Sequence, residues 1–178
     1  MRTDRLQREF GIELHWTVFP LHPETPLEGM ELSKLFAGRD ADIEAMQARL
    51  SNAAAAEGLP LTKRTRTCNS RSAQELGKWA DSLGKGDPFR RAVYRAYFVE
   101  GINIAQIAEL VRIAGSVGLP LDEGQAVLAE RSFASTVDAD WQRAAEMRIT
   151  AVPTHLCDGK RLTGFGPYDD FVRLIGKG

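Results

Sequence analysis

Cysteine is almost missing from this chain. The 178 residues contain only Cys68 and Cys157, and no C-x-x-C occurs anywhere. Two distant thiols cannot form a disulfide framework, and such usage suits a reducing cytosol. Histidine is as sparse: His15, His22 and His155 are scattered, which gives no metal-ligand spacing and calls for no metal or cofactor. No apolar run approaches the roughly 20 residues of a membrane span, and no signal-peptide core follows Met1. An excess of either charge is also absent. Lys and Arg number 23 against 24 Asp and Glu, so no global field favours nucleic acid or a membrane surface. These absences lead to the expectation of a cytoplasmic globular protein; nothing in them sets its oligomeric state.

What is present suits one domain carrying a large insertion. Hydrophobic residues at 43% can bury a substantial core. Residues 3–10 carry Leu6 and Phe10 four apart before Gly11, a short helix. Ile12, Leu14, Trp16 and Val18 then alternate, which predicts a strand over 12–19. Residues 20–29 hold three prolines and read as an extended loop. From about residue 40 the period becomes helical. Ile43, Met46, Leu50 and Ala54 mark one helix, and further helices follow over 72–83 and 87–100. Asn103-x-x-Gln106 has the form of a capping box before the next, Asp122-x-x-Gln125 opens another, and Ser135 or Thr136 caps the sixth. The helical block, about 39–148, sits between two strand regions with no long linker. The expectation is therefore one α/β domain over 1–178 with a helical insertion.

Residues 150–166, Thr-Ala-Val-Pro-Thr-His-Leu-Cys-Asp-Gly-Lys-Arg-Leu-Thr-Gly-Phe-Gly, predict a strand opened by Pro153, a turn at Asp158-Gly159, a second strand, and a helix from about Tyr168. An X-Pro bond lowers the cost of cis to about 1 kcal/mol, while a trans proline can also begin a strand. His155 and Cys157 share a strand face. Either they are a base and nucleophile or, more simply, Cys157 is a small core hydrophobe. Cys68 precedes a helix start and has Arg64, Arg66 and Arg71 nearby, an environment that lowers a thiol pKa, so it is the better candidate for a reactive thiol. The aromatic residues Trp16, Trp79, Phe89, Tyr97 and Phe98 fall at core periods. Residues 164–168 form a turn, misplaced for a phosphate-binding loop.

Four stretches in combination resemble the FrnE-like branch of the DsbA family: Phe19-Pro-Leu-His-Pro-Glu-Thr-Pro26 with Glu28-Gly29; Cys68-Asn-Ser-Arg-Ser-Ala-Gln-Glu-Leu76 with Trp79-Ala80; Arg95-Ala-Tyr-Phe-Val-Glu-Gly-Ile-Asn-Ile104; and the 150–166 block. The resemblance spans most of the chain. It implies a thioredoxin-like α/β fold with an inserted helical subdomain, and a thiol-disulfide oxidoreductase that exchanges dithiols with protein or small thiol and disulfide substrates. It also implies that Val152-Pro153 is the cis-proline pair that binds substrate, with Asn69 and Arg71 near the site.

The departure from the family is at the start, where a strand and a Cys-Pro-x-Cys should precede the first helix. In the thioredoxin arrangement that strand lies between residues 12–19 and the strand after Pro153. Its loss leaves backbone groups unpaired at about 1–3 kcal/mol each if buried. The expectation is therefore that Met1 is an internal methionine and that these 178 residues alone are redox-inactive. The alternatives are a non-redox, chaperone-like peptide-binding module beginning at Met1, and a relative of the glutathione-dependent isomerases and transferases.

Overall fold

A computed structural model describes residues 2–177. In chain order its elements are α1 (Arg2–Phe10), β1 (Met30–Glu31), α2 (Leu32–Leu35), α3 (Asp40–Ala56), β2 (Arg66–Thr67), α4 (Arg71–Ser82), α5 (Gly86–Phe98), α6 (Ile107–Ser116), α7 (Leu121–Glu130), α8 (Ala134–Glu146), β3 (Thr154–Cys157), β4 (Lys160–Thr163) and α9 (Tyr168–Leu174). The chain divides into two compact units, one of residues 20–138 and one of residues 1–19 with 139–178. No helix among the described residues is long and apolar enough to cross a membrane.

The first unit is helical because its apolar residues recur at three and four. Leu76, Trp79 and Ala80 of α4 meet Phe89 and Val93 of α5, with Leu110 and Ile113 of α6 and Leu128 of α7 in the same buried cluster. α4 and α7 approach closely at Gly124, where an added Cβ would lie 3.2 Å from the Trp79 ring. The small ladder of β1 on β2 is antiparallel, pairing Met30 with Thr67. It is entered through Gly29 at φ +81°, where a Cβ would stand 2.7 Å from the Thr67 carbonyl oxygen, so only glycine fits.

In the other unit β3 and β4 form an antiparallel hairpin with Thr154 opposite Thr163 and Cys157 opposite Lys160. Asp158 and Gly159 both have positive φ (47° and 77°), the two-residue turn whose twist matches a hairpin. α9 packs on β4, and α1 on α9. Leu6, Phe171 and Leu174 are buried there.

Several expectations are corrected. Residues 12–19 are not a strand, although their burial alternates over Ile12 to Leu14. A strand needs a neighbour to fill its ladder, and among the described residues none pairs with this segment; the sheets are β1–β2 and β3–β4. The α3 stripe is not covered either, with Met46 and Leu50 exposed and α2 its principal neighbour. α8 begins at Ala134, so Ser135 and Thr136 lie inside the helix rather than capping it. Asn103 and Gln106 make no capping box. The Asn103 amide donates to the Leu27 carbonyl at 2.8 Å and the Gln106 amide to the same oxygen at 3.3 Å.

Candidate functional site

The loop from Ala151 to Thr154 is built by local bonds. Thr154 Oγ1 donates to the Ala151 carbonyl at 2.6 Å, and the Gly164 amide donates to the Pro153 carbonyl at 2.8 Å, extending the hairpin ladder by one step. The Val152–Pro153 peptide is cis. Val152 is 43% exposed, and among the described residues nothing hydrogen-bonds its backbone N–H or C=O. An exposed residue with both groups unsatisfied, at the start of a strand, can receive an extended segment as a further strand.

His155 points the other way, into the unit. Its ring meets Phe171 edge-on at 4.8 Å between centroids. Nδ1 is buried without a hydrogen-bond partner among the described residues. Burial pushes its pKa below the ordinary value, against a smaller opposing effect of a hydrogen bond to the Leu162 backbone. Cys157, on the same strand face, is a half-buried free thiol, and among the described residues no hydrogen bond joins it to His155. The two do not form a nucleophile–base pair.

The other candidates lie in the helical unit. Cys68 follows β2 and rests against the helical cluster. Its pKa is raised, not lowered. Burial is the largest influence, and it outweighs a backbone hydrogen bond to Ile104 and the Arg64 and Arg66 charges. Proximity in sequence to cations is a weaker effect than loss of water around the thiolate. Cys68 is therefore a protonated packing residue at neutral pH. Asn69 is fully used: its amide donates to the carbonyls of Thr25 (2.7 Å) and Pro23 (3.3 Å), and Oδ1 accepts from the Arg71 N–H at 2.8 Å.

Arg71 is at the centre of an ion-pair cluster. Nε pairs with Glu75 Oε1 at 2.6 Å, Nη1 with Asp138 Oδ1 at 2.6 Å, and Nη2 donates to the Ala134 carbonyl at 2.9 Å. Arg131 Nη2 meets the same Glu75 oxygen at 2.8 Å. Glu75 is only 2% exposed. Burial acts to lower the Arg71 pKa, but the bonds to Asp138 and Glu75 outweigh it and the guanidinium is held charged.

The profile of the DSBA-like thioredoxin domain matches residues 1–176. The chain belongs to that family. A probable DsbA oxidoreductase from Streptomyces coelicolor is similar in structure, with TM-score 0.89 and 25% identity over 99% of this chain and 81% of that one. A candidate protein disulfide isomerase from Nitrosomonas europaea shares the fold, with TM-score 0.71 and 17% identity over 98% of this chain and 86% of the other. No curated protein matches.

Within this DsbA-like domain, the sequence singles out Val152, Pro153, Cys68, Asn69 and Arg71 as candidates but does not show what several of them hold. The loop over 20–29 has three prolines and so fewer N–H donors than carbonyls. Asn69, Asn103 and Gln106 supply donors to the carbonyls of Pro23, Thr25 and Leu27. That donor shortage was readable from the prolines; the identity of the donors was not. Glu75 was readable as the i+4 partner of Arg71, whereas Arg131 and Asp138 were not.

Proposed function

We propose that this DsbA-like domain is a FrnE-like protein that holds an extended disulfide- or thiol-bearing substrate, protein or small molecule, at Val152–Pro153 for thiol–disulfide exchange in the reducing cytosol. The exposed, unsatisfied Val152 backbone at the head of β3 carries this reading, because a bound strand would complete those two hydrogen bonds. In exchange, a thiolate attacks one sulfur of a disulfide, the old S–S bond breaks, and the other sulfur leaves as a thiolate. These residues contain no C-x-x-C, and burial keeps Cys68 protonated, so the attacking dithiol comes from outside them. Asn69 shapes the neighbouring proline-rich loop, and Arg71 supports α4.

The test is binding of a fluorescent, extended peptide containing an intramolecular disulfide, followed by anisotropy. N-methylation of alternate peptide amides should weaken binding by about tenfold, the loss of one hydrogen bond made on binding. Equal binding of the methylated peptide would overturn the assignment of Val152. Insulin reduction by the 178 residues should stay at the uncatalysed rate, and sustained turnover would contradict the redox part. Absence of a dithiol also favours a non-redox holding role. In that case the oxidised and reduced peptides bind alike.

A further inference from the structure

α3 is the longest helix among the described residues, yet none of its 17 residues is buried. A helix of that length is marginal in water by itself, and most are held by packing an apolar face. Within the helical unit α2 is the principal neighbour of α3, and the Gln47 amide donates to the Arg64 carbonyl at 2.9 Å. Ile43, Gln47 and Ala54 are half-buried on that side. On the adjoining side Met46 and Leu50 are 37% and 44% exposed.

Single exposed apolar residues are ordinary on a protein surface. What sets this face apart is the pattern of charge along it. Asp42 stands four residues before Met46 and Arg49 three after it, so all three share one side of the helix. Both charged residues are exposed. Ile43 and Leu50, also seven apart, line the opposite edge of the same stripe.

A second α3 laid antiparallel, with Met46 against Met46, turns this pattern into a match. Each Asp42 then lies within one residue, about 1.5 Å of rise, of the level of the other copy's Arg49. Ile43 and the other copy's Leu50 are equally close in level on the apolar edge. Arg39, which pairs with Asp42 at 2.7 Å, comes level with Ala53 of the other copy and meets no like charge. A parallel pair in the same register would instead oppose Asp42 to Asp42 and Arg49 to Arg49. We propose that α3 docks antiparallel on α3 of a second copy of this chain, around Met46, with reciprocal Asp42–Arg49 pairs setting the direction. The proposal is independent of the thiol–disulfide reading, because it uses neither Val152 nor Pro153. One pair of helices about 25 Å long makes an interface at the small, weak end of the specific range, below about 1,200 Å². The expected dissociation constant is therefore roughly 10–100 μM.

Sedimentation equilibrium of the whole chain between about 5 and 500 μM tests it, with circular dichroism confirming that each variant is folded. The mean mass should climb from one chain toward two across that range. Met46→Glu should hold it at one chain throughout. Arg49→Asp or Asp42→Arg alone places like charges opposite each other and should weaken association by about tenfold. Combining the two restores opposite signs and should bring the dissociation constant back to within about threefold of wild type. Arg112→Asp, at an exposed site on α6, should change nothing. A wild-type chain that stays monomeric at 500 μM would overturn the proposal, as would a dimer that survives Met46→Glu. A double variant no better than either single one would overturn the antiparallel pairing.

Discussion

Removing the charge of Glu75 while keeping its size tests whether the ion-pair cluster holds the helical unit together. In Glu75→Gln the side chain still fills its place, but two guanidinium groups at 2.6 and 2.8 Å now face a neutral amide. Breaking a buried pair by removing one partner costs about 3–5 kcal/mol. Arg131 is 61% exposed and can turn to water, and Arg71 keeps Asp138 and the Ala134 carbonyl, so the lower end applies, about 3 kcal/mol. With a urea slope of about 2 kcal/mol/M the midpoint falls by about 1.5 M, and the melting temperature drops by about 6–12 °C. Circular dichroism at 222 nm follows both. Asp138→Asn should leave the midpoint within error because the carboxylate is 64% exposed. A Glu75→Gln midpoint within 0.2 M of wild type, roughly the precision of such fits, would refute the reasoning, since the charge would then contribute nothing. A double-mutant cycle with Arg131→Met then separates the two arginines.

Three further outcomes follow from the same geometry. His155 has a folded pKa below about 6.5; below pH 6.5 the unfolded chain binds the proton first, so stability is full above 6.5 and falls as pH drops toward the folded pKa, a slope seen in urea titrations at pH 7.5, 6.5 and 5.5 and absent in His155→Phe. Asn69→Ala strips the donor from the Thr25 and Pro23 carbonyls and should cost about 1–3 kcal/mol with faster protease cleavage in residues 20–29; Asn69→Asp should be worse than Asn69→Ala, because a carboxylate oxygen would face both carbonyls. Cys68 alkylates slowly at pH 7, its rate still rising above the ordinary thiol range near 8.5; a rate midpoint at or below that value would contradict the dominance of burial.

The elements legible in the sequence are those whose signal is local. Ala73, Leu76 and Ala80 at helical spacing produced α4, and Asp158-Gly159 between two short polar-apolar runs produced the hairpin. Residues 12–19 show what a local signal leaves out. Alternation states which side chains face inward, but a strand also requires a neighbour to accept its N–H groups, and that neighbour is nowhere in the pattern. The same holds for the site. Val152-Pro153 could be singled out as a candidate because proline is unmistakable in sequence, whereas the carboxamides of Asn103 and Gln106 carry no period and act on a carbonyl more than seventy residues away. Cys68 failed for a related reason. Its charged neighbours are visible in one dimension, while the burial that outweighs them exists only in three.

Holding a substrate and exchanging its disulfide are separable demands on a DsbA-like domain. Exchange needs a thiolate with a second thiol in reach to resolve the mixed disulfide. Holding needs only an exposed backbone pair and a rigid frame to present it. On the proposed reading the second demand falls on Val152, on the ladder step from Gly164 to Pro153, and on Arg161, which fastens the hairpin to α8. For the first, Cys68 rests against the helical cluster, and among the described residues no hydrogen bond joins Cys157 to His155. Peptide affinity therefore reports on the residues of this chain. A rate of disulfide exchange reports on whatever dithiol is brought to it, and adding a small dithiol should raise that rate without changing the affinity.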